Sequence, residues 1–253
     1  MILYFSGTGN SGFIADELGK QLGEEVVKMT SCDPASLKFS GNTLGIVCPV
    51  YAWGVPPLVG GVISRLNDAF VAAAREKGVW GVLTCGDETG KAPDMLRKML
   101  AKRDLTPTGL WSVIMPNVYL MLPGFTLDSK EVENKKIRNA GPQVRDIARA
   151  IGKGEYAEDC HEGPLAWIKT KAVYPLFEKM GVVASKWNVS DTCISCGRCE
   201  RNCPVGNIRI KDGRPRWADK CVSCMACYHG CPTNAINYGK ITQGRGQYRR
   251  FLK

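Results

Sequence analysis

The stretch Met1-Ile2-Leu3-Tyr4-Phe5-Ser6-Gly7-Thr8-Gly9-Asn10-Ser11-Gly12 decides the fold of the larger part of this chain. Met1 to Phe5 is a short apolar run, the pattern of a strand buried on both faces of a parallel sheet. Ser6 to Ser11 is a loop of glycines and hydroxyls. From Gly12 to Leu22, the apolar residues Phe13, Ile14, Leu18 and Leu22 recur at helical spacing. Strand, glycine-rich loop and helix N-terminus together form an anion cradle. Unpaired amide N–H groups and the positive end of the helix dipole face the anion, and hydroxyls add donors.

Two patterns fit this loop. Gly7, Gly9 and Gly12 satisfy the G-x-G-x-x-G of dinucleotide binders, which also expects an acidic residue at the end of the second strand. That strand, residues 25–29, runs into Lys28-Met29-Thr30-Ser31, and Asp33 falls beyond it. The string Ser6-x-Thr8-Gly9-Asn10-Ser11 instead resembles the phosphate loop of flavodoxins, which cradles the FMN monophosphate. Downstream, strands at about 43–48, 79–84 and 109–115 alternate with helices at about 57–76, 91–102 and 129–151. The rhythm predicts an α/β, doubly wound five-stranded parallel sheet with its ligand at the carboxyl ends of the strands.

Two further loops extend the flavodoxin resemblance across residues 1–152. Pro49-Val50-Tyr51-Ala52-Trp53-Gly54 is similar to the loop that lays an aromatic ring on the isoalloxazine, and Thr84-Cys85-Gly86-Asp87 resembles the second flavin loop. A core tryptophan is the alternative for Trp53, but a Pro/Gly loop after a strand favours flavin contact. The second loop departs from the family in lacking an aromatic residue. Either Tyr119 covers the other flavin face or that face is open to a donor or substrate.

Near the other end stand two copies of C-x2-C-x2-C-x3-C-P. They are Cys193, Cys196, Cys199, Cys203 with Pro204, and Cys221, Cys224, Cys227, Cys231 with Pro232. Every cysteine of the first copy has its counterpart 28 positions on. Zinc sites use close pairs of cysteines, and a disulfide framework has no need of such a repeat; iron–sulfur clusters do. The runs resemble bacterial ferredoxins with two [4Fe–4S] clusters, in which the fourth cysteine serves the other cluster. The resemblance implies one cluster on Cys193, Cys196, Cys199 and Cys231, and the other on Cys221, Cys224, Cys227 and Cys203. The expected second domain is a smaller α+β dicluster ferredoxin over residues 188–253, including a basic tail with two aromatics.

Residues 153–187 read as a linker with a helical segment. Leu165, Ile168, Ala172, Leu176 and Met180 share one face, expected to pack between the domains, and Pro175 interrupts the helix. The adjacent Cys160 and His161 read as a surface pair, and Cys32, Cys48 and Cys85 as ordinary thiols, Cys85 near the flavin. The formal charge of +10 falls to about +4 once two clusters and a flavin phosphate are counted. That favours an acidic redox protein as partner over nucleic acid. Residues 43–64 are uncharged, yet Pro49, Pro56 and Pro57 rule out one membrane-spanning helix. No secretory leader is visible, and free thiols beside clusters point to a reducing cytoplasm.

Taken whole, the chain resembles the flavodoxin–ferredoxin fusion proteins of anaerobic bacteria and archaea. The resemblance implies electron transfer between two [4Fe–4S] clusters and an FMN. The alternative is an FMN-dependent reductase of a small-molecule substrate, with Tyr51, Asn117 and Tyr119 beside the flavin. A nicotinamide-dependent reductase lacks a second nucleotide fingerprint.

Overall fold

A computed structural model describes residues 1–121, 124–180 and 183–252. The N-terminal part alternates strand and helix. Its elements are β1 (Ile2–Tyr4), α1 (Asn10–Leu22), β2 (Val26–Lys28), β3 (Leu44–Pro49), α2 (Pro57–Ser64), α3 (Asp68–Lys77), β4 (Val79–Cys85), α4 (Ala92–Ala101), β5 (Pro107–Ile114), α5 (Lys130–Lys153) and β6 (Glu158–Asp159). All strand pairs in this sheet are parallel, in the order β2-β1-β3-β4-β5-β6. The first five strands follow the flavodoxin-like order 2-1-3-4-5, whose ligand crevice lies where the order reverses. The fold is flavodoxin-like.

Neighbouring residues on each strand supply opposite cores, as the two-residue period of a strand requires. Leu3, Leu44 and Ile46 pack with Val62, Ile63, Phe70 and Leu96 from α2, α3 and α4. Ile2, Val47, Trp80 and Val113 pack with Ile14 and Leu18 of α1 and Val144 and Ile147 of α5. Gly45 is needed where β3 meets Trp80, since a Cβ there would lie 2.3 Å from the indole.

Three expectations need correction. The helix foreseen over 57–76 is two, because the chain turns at residues 65–67 and Asn67 caps α3 by accepting from Phe70 N–H at 2.9 Å. The sheet gains a sixth, two-residue strand from the linker, where Glu158 and Asp159 pair with Leu110 and Trp111. The linker helix buries the opposite face from the one expected. It runs as α6 (Ala166–Ile168), a π-helical turn (Lys169–Val173) and α7 (Tyr174–Met180). Ala166, Thr170 and Tyr174 point inward, while Leu165, Ile168 and Leu176 are exposed; the Met180 side chain lies outside the described residues. Polar bonds choose the face: Thr170 and Tyr174 donate to the carbonyls of Trp53 and Val55 at 2.8 and 2.6 Å.

The C-terminal domain is small and mixed. β7 (Trp187–Val189) pairs antiparallel with β10 (Ile236–Tyr238), and β8 (Ile208–Lys211) with β9 (Arg214–Trp217). Two short helices, α8 (Arg198–Arg201) and α9 (Ala226–Gly230), follow the two cysteine loops. The repeat extends to the backbone: Ser195 and Gly197 flank Cys196 with positive φ, as Ser223 and Met225 flank Cys224. The domains interlock. Leu120 and Met121, from the loop after β5, join the C-terminal core, while Val222 and Cys224 pack against the N-terminal one.

Candidate functional site

The carboxyl ends of the central strands open on one cleft of about 1090 Å³, its mouth included. Four loops line it. They contribute Ser6, Gly7 and Thr8 after β1 with Asn10 and Ser11 opening α1; Pro49 ending β3 with Val50, Tyr51, Ala52 and Trp53; Thr84 and Cys85 ending β4 with Gly86 and Asp87; and Met115 to Tyr119 after β5. Fifteen of the seventeen residues that the sequence assigns to a flavin are among them. Gly9 and Gly54 are not. Gly9 caps α1 at φ 98° with Phe251 pressed on its α-carbon, and Gly54 abuts the Tyr174 ring.

The phosphate loop is braced from within. Ser6 Oγ accepts from Gly9 N–H at 3.1 Å, which leaves its own proton to donate into the cleft. Ser11 Oγ meets Thr84 Oγ1 at 2.7 Å. Asn10 is committed elsewhere: its amide donates to Pro116 O at 3.0 Å and its carbonyl accepts from Tyr248 OH at 2.7 Å. So the side chain of Asn10 shapes the loop, and Ser6, Thr8 and the start of α1 are left to meet an anion.

The turn carrying Trp53 is strained. Tyr51 and Gly54 exchange backbone hydrogen bonds at 2.9 Å, forcing Ala52 (φ 46°) and Trp53 (φ 63°) into the left-handed region. Each such residue costs of order 1 kcal/mol. Neighbours hold it there. Thr170 bonds the Trp53 carbonyl, Glu88 accepts the indole N–H at 2.6 Å, and Lys169 pairs with Glu88 and stands 5.3 Å over the indole.

Tyr119 belongs to an aromatic wall. It meets Phe125 and Phe177 edge-on at 6.0 and 5.9 Å, and Phe125 meets Trp53 at 6.3 Å. Phe125 and Phe177 line the cleft and were not foreseen, since no motif marks them. At the cleft's edge Asn117 donates to Asp87 at 2.9 Å, and Lys136 pairs with Asp87 and Asp128. Burial pushes the Cys85 thiol up to about 12, so it stays protonated here.

The eight cysteines of the repeat sort into two cavities. Cys193, Cys196, Cys199 and Cys231 line one; Cys203, Cys221, Cys224 and Cys227 line the other. Among the described residues no three His, Cys, Asp or Glu side chains converge as one metal ion would need. The cysteines ring a space instead, which suits a cubane better than zinc. The fourth cysteine of each run accepts a backbone bond from four residues on: Asn207 N–H to Cys203 and Ala235 N–H to Cys231, both at 3.2 Å. Without iron, burial raises Cys199 to about 11 and Cys224 to about 12. Thiolates at such positions need bound iron to hold them.

Cys224 belongs to both kinds of site. It lines the second cysteine cavity and also the cleft, beside Ser223 and Met225. A Cβ on Gly7 would lie 2.6 Å from Cys224 Cβ and 3.1 Å from the Tyr51 hydroxyl oxygen, so only glycine allows this approach. The cavity holding Cys224 is termed proximal below, and the other distal.

The tail clasps the join. Phe251 stacks on Phe13 at 4.4 Å, Arg245 donates to Phe125 O at 2.9 Å and Arg249 to Cys231 O at 2.6 Å. His229 is fully buried and ties three segments. Burial pushes its pKa down to about 4, leaving a neutral ring. Nε2–H donates to Val118 O at 2.7 Å, and Nδ1 accepts from Tyr248 N–H at 3.1 Å.

Residues 192–236 match the 4Fe-4S dicluster domain family. A flavodoxin-like fold is thus joined to a dicluster domain, a family that holds two clusters. Among solved structures, the Trp repressor binding protein from Bacillus subtilis is similar at 13% identity and TM-score 0.35, over 56% of this chain and 96% of that one. An NAD(P)H:quinone oxidoreductase from Methanothermobacter marburgensis is similar at 13% identity and TM-score 0.36, over 58% and 94%. Such values add nothing to what the strand order shows. No curated protein matches the chain. None of the described helices is long and apolar enough to cross a membrane.

Proposed function

We propose that this protein is an electron-transfer iron–sulfur flavoprotein, relaying single electrons between two [4Fe–4S] clusters and an FMN in the cleft. The observation that carries this reading is Cys224, a ligand candidate of the proximal cavity that is also a wall of the cleft. When bound, the clusters supply one-electron steps and the flavin converts them to two-electron chemistry. The chain's own residues position and insulate. Ser6, Thr8 and the N-terminus of α1 would hold the phosphate, and Trp53 and Tyr119 would flank the ring. Val222 and Met225 exclude water from the join, Val222 against the N-terminal core and Met225 within the C-terminal one.

Electrons would enter at the distal cavity, where Cys196 is exposed and Ile194 is 63% exposed. Exposed Arg198 and Arg201 lie beside them, which suits an acidic redox protein. The second reading, reduction of a small molecule at the flavin, draws on the polar edge of Asp87, Asn117 and Lys136 beside the cleft.

A stepwise reductive titration of anaerobically purified protein, followed by visible spectra and EPR, tests the relay. FMN with about eight irons per chain, and electrons equilibrating among the centres, is the expected result. Full clusters without flavin would overturn the reading of the cleft.

A further inference from the structure

Among the described residues three buried side-chain donors have no acceptor, the Asn202 amide and the indoles of Trp187 and Trp217, and the two indoles stand at the proximal cavity. Trp187 on β7 and Trp217 on β9 stack with ring centroids 5.5 Å apart and planes 10° apart. Both line the cavity of Cys203, Cys221, Cys224 and Cys227. The indole Nε1 atoms of both are buried without a partner. An indole N–H can only donate, and leaving one unpaired in an interior costs about 1–3 kcal/mol. Two such costs side by side call for an acceptor that the polypeptide alone does not supply.

The neighbouring sulfurs identify it. Cys203, Cys221, Cys224 and Cys227 line the same cavity as the two indoles, and Cys203, Cys221 and Cys227 pack in one cluster with them. The distal cavity has no indole. Besides its cysteines it is walled by Ile194, Ile210, Pro215 and Ile236, with Ser195, Arg198 and Thr233 as its polar side chains, the Thr233 hydroxyl 3.8 Å from Cys231 Sγ. The backbone N–H bonds to Cys203 and Cys231 are the same on both sides, so they cannot distinguish the two sites. The indoles can.

We propose that Trp187 and Trp217 donate their indole N–H groups to the sulfur shell of the proximal cluster and raise its reduction potential selectively. The proposal rests on the relay reading above. An added electron places negative charge on cluster and thiolate sulfur, and a donor stabilises that charge more in the reduced state. Burial between the domains works the other way, since a low-dielectric site resists added charge. The indoles offset burial, so that the inner cluster stays reducible. When an electron passes inward, the distal cluster is oxidised by one electron and the proximal one reduced by one. No bond or proton changes hands.

The test is a potentiometric EPR titration of the holoprotein, comparing wild type with Trp187→Phe, Trp217→Phe and the double variant. Phenylalanine keeps an aromatic, apolar wall, with a smaller ring, and removes the donor. Iron and flavin are assayed first, and Cys224→Ser identifies the proximal signal. In the double variant, the reduced-to-oxidised ratio of the proximal cluster at the wild-type midpoint should fall about tenfold, a shift of about 59 mV for one electron. The distal midpoint should not move. An unmoved proximal midpoint, or equal shifts in both, overturns the proposal. Wild-type protein labelled with 15N in the tryptophan indole gives a measurement independent of variant folding. Pulsed EPR should find 15N coupling on the proximal signal alone, and its absence there overturns the proposal. Fewer than two clusters in the wild type would overturn the relay itself, which the iron assay reports separately.

Discussion

The two cysteine runs share one spacing, one backbone pattern and one backbone hydrogen bond to the fourth sulfur. Their surroundings differ in every other respect. The distal cavity has an exposed cysteine and a neighbouring isoleucine open to solvent. The proximal cavity is walled by two stacked indoles and abuts the phosphate loop through Cys224. On the proposed relay, a repeated motif thus makes two sites with separate tasks: one edge to meet a partner, and one to meet the flavin. What distinguishes them is supplied by residues outside the motif.

The largest effect should come from breaking one site at a time. Cys224→Ser is expected to halve bound iron and to cut electron flow between flavin and the remaining cluster by at least tenfold in stopped-flow reduction. Cys196→Ser should cost similar iron but leave the flavin's own midpoint and affinity unchanged. If the two variants disturb the flavin equally, the inner and outer assignments are wrong.

Closing the gap at the join should come next. Gly7→Ala would drive a Cβ to within 2.6 Å of Cys224 Cβ, and overpacking of this kind costs about 1–3 kcal/mol. Urea unfolding of the holoprotein should register that loss, together with weaker flavin retention. An unchanged midpoint would mean that the two loops do not touch.

A smaller change should follow from loosening the tail. Tyr248→Phe removes the hydroxyl that orients Asn10, worth about 1 kcal/mol for a single hydrogen bond. Flavin should then dissociate about fivefold more readily, measured by fluorescence of the released cofactor. Wild-type affinity in this variant would show that the phosphate loop needs no brace.

The smallest structural effect belongs to the outer edge. Arg198→Glu should leave stability within about 0.5 kcal/mol, as surface substitutions do. It should slow reduction by an acidic one-electron donor protein several-fold at low salt, with the difference fading as salt rises. A rate independent of charge and salt would move the docking face elsewhere.

The legible parts of this protein are those whose chemistry is local. The Ser6–Ser11 loop, the Trp53 turn and Thr84–Asp87 each stand at the carboxyl end of a strand, so their place at one sheet edge follows from the parallel topology. Phe125 and Phe177 were not legible, because neither stands in a motif and their meeting with Tyr119 depends on two connections folding back. The linker helix misled for a related reason. Its apolar stripe at Leu165, Ile168 and Leu176 is exposed, because Thr170 and Tyr174 hold the other face to the Trp53 turn. Asn10 carries the phosphate-loop resemblance, and its side chain is held by Pro116 and Tyr248 from far along the chain.

Residue order alone was enough for the parallel sheet, the two iron–sulfur motifs and the phosphate-type loop. Each is encoded within a few tens of residues, by periodicity or by ligand spacing. Which cluster cavity faces the cleft could not be read that way, because the two runs are equivalent as strings. That choice is made by packing across the chain. Gly7 admits Cys224, the loop at Leu120 inserts into the C-terminal core, and Trp187 and Trp217 close on one cavity only. Contacts between residues far apart in sequence break the symmetry of the repeat, and they exist only once both domains are folded together.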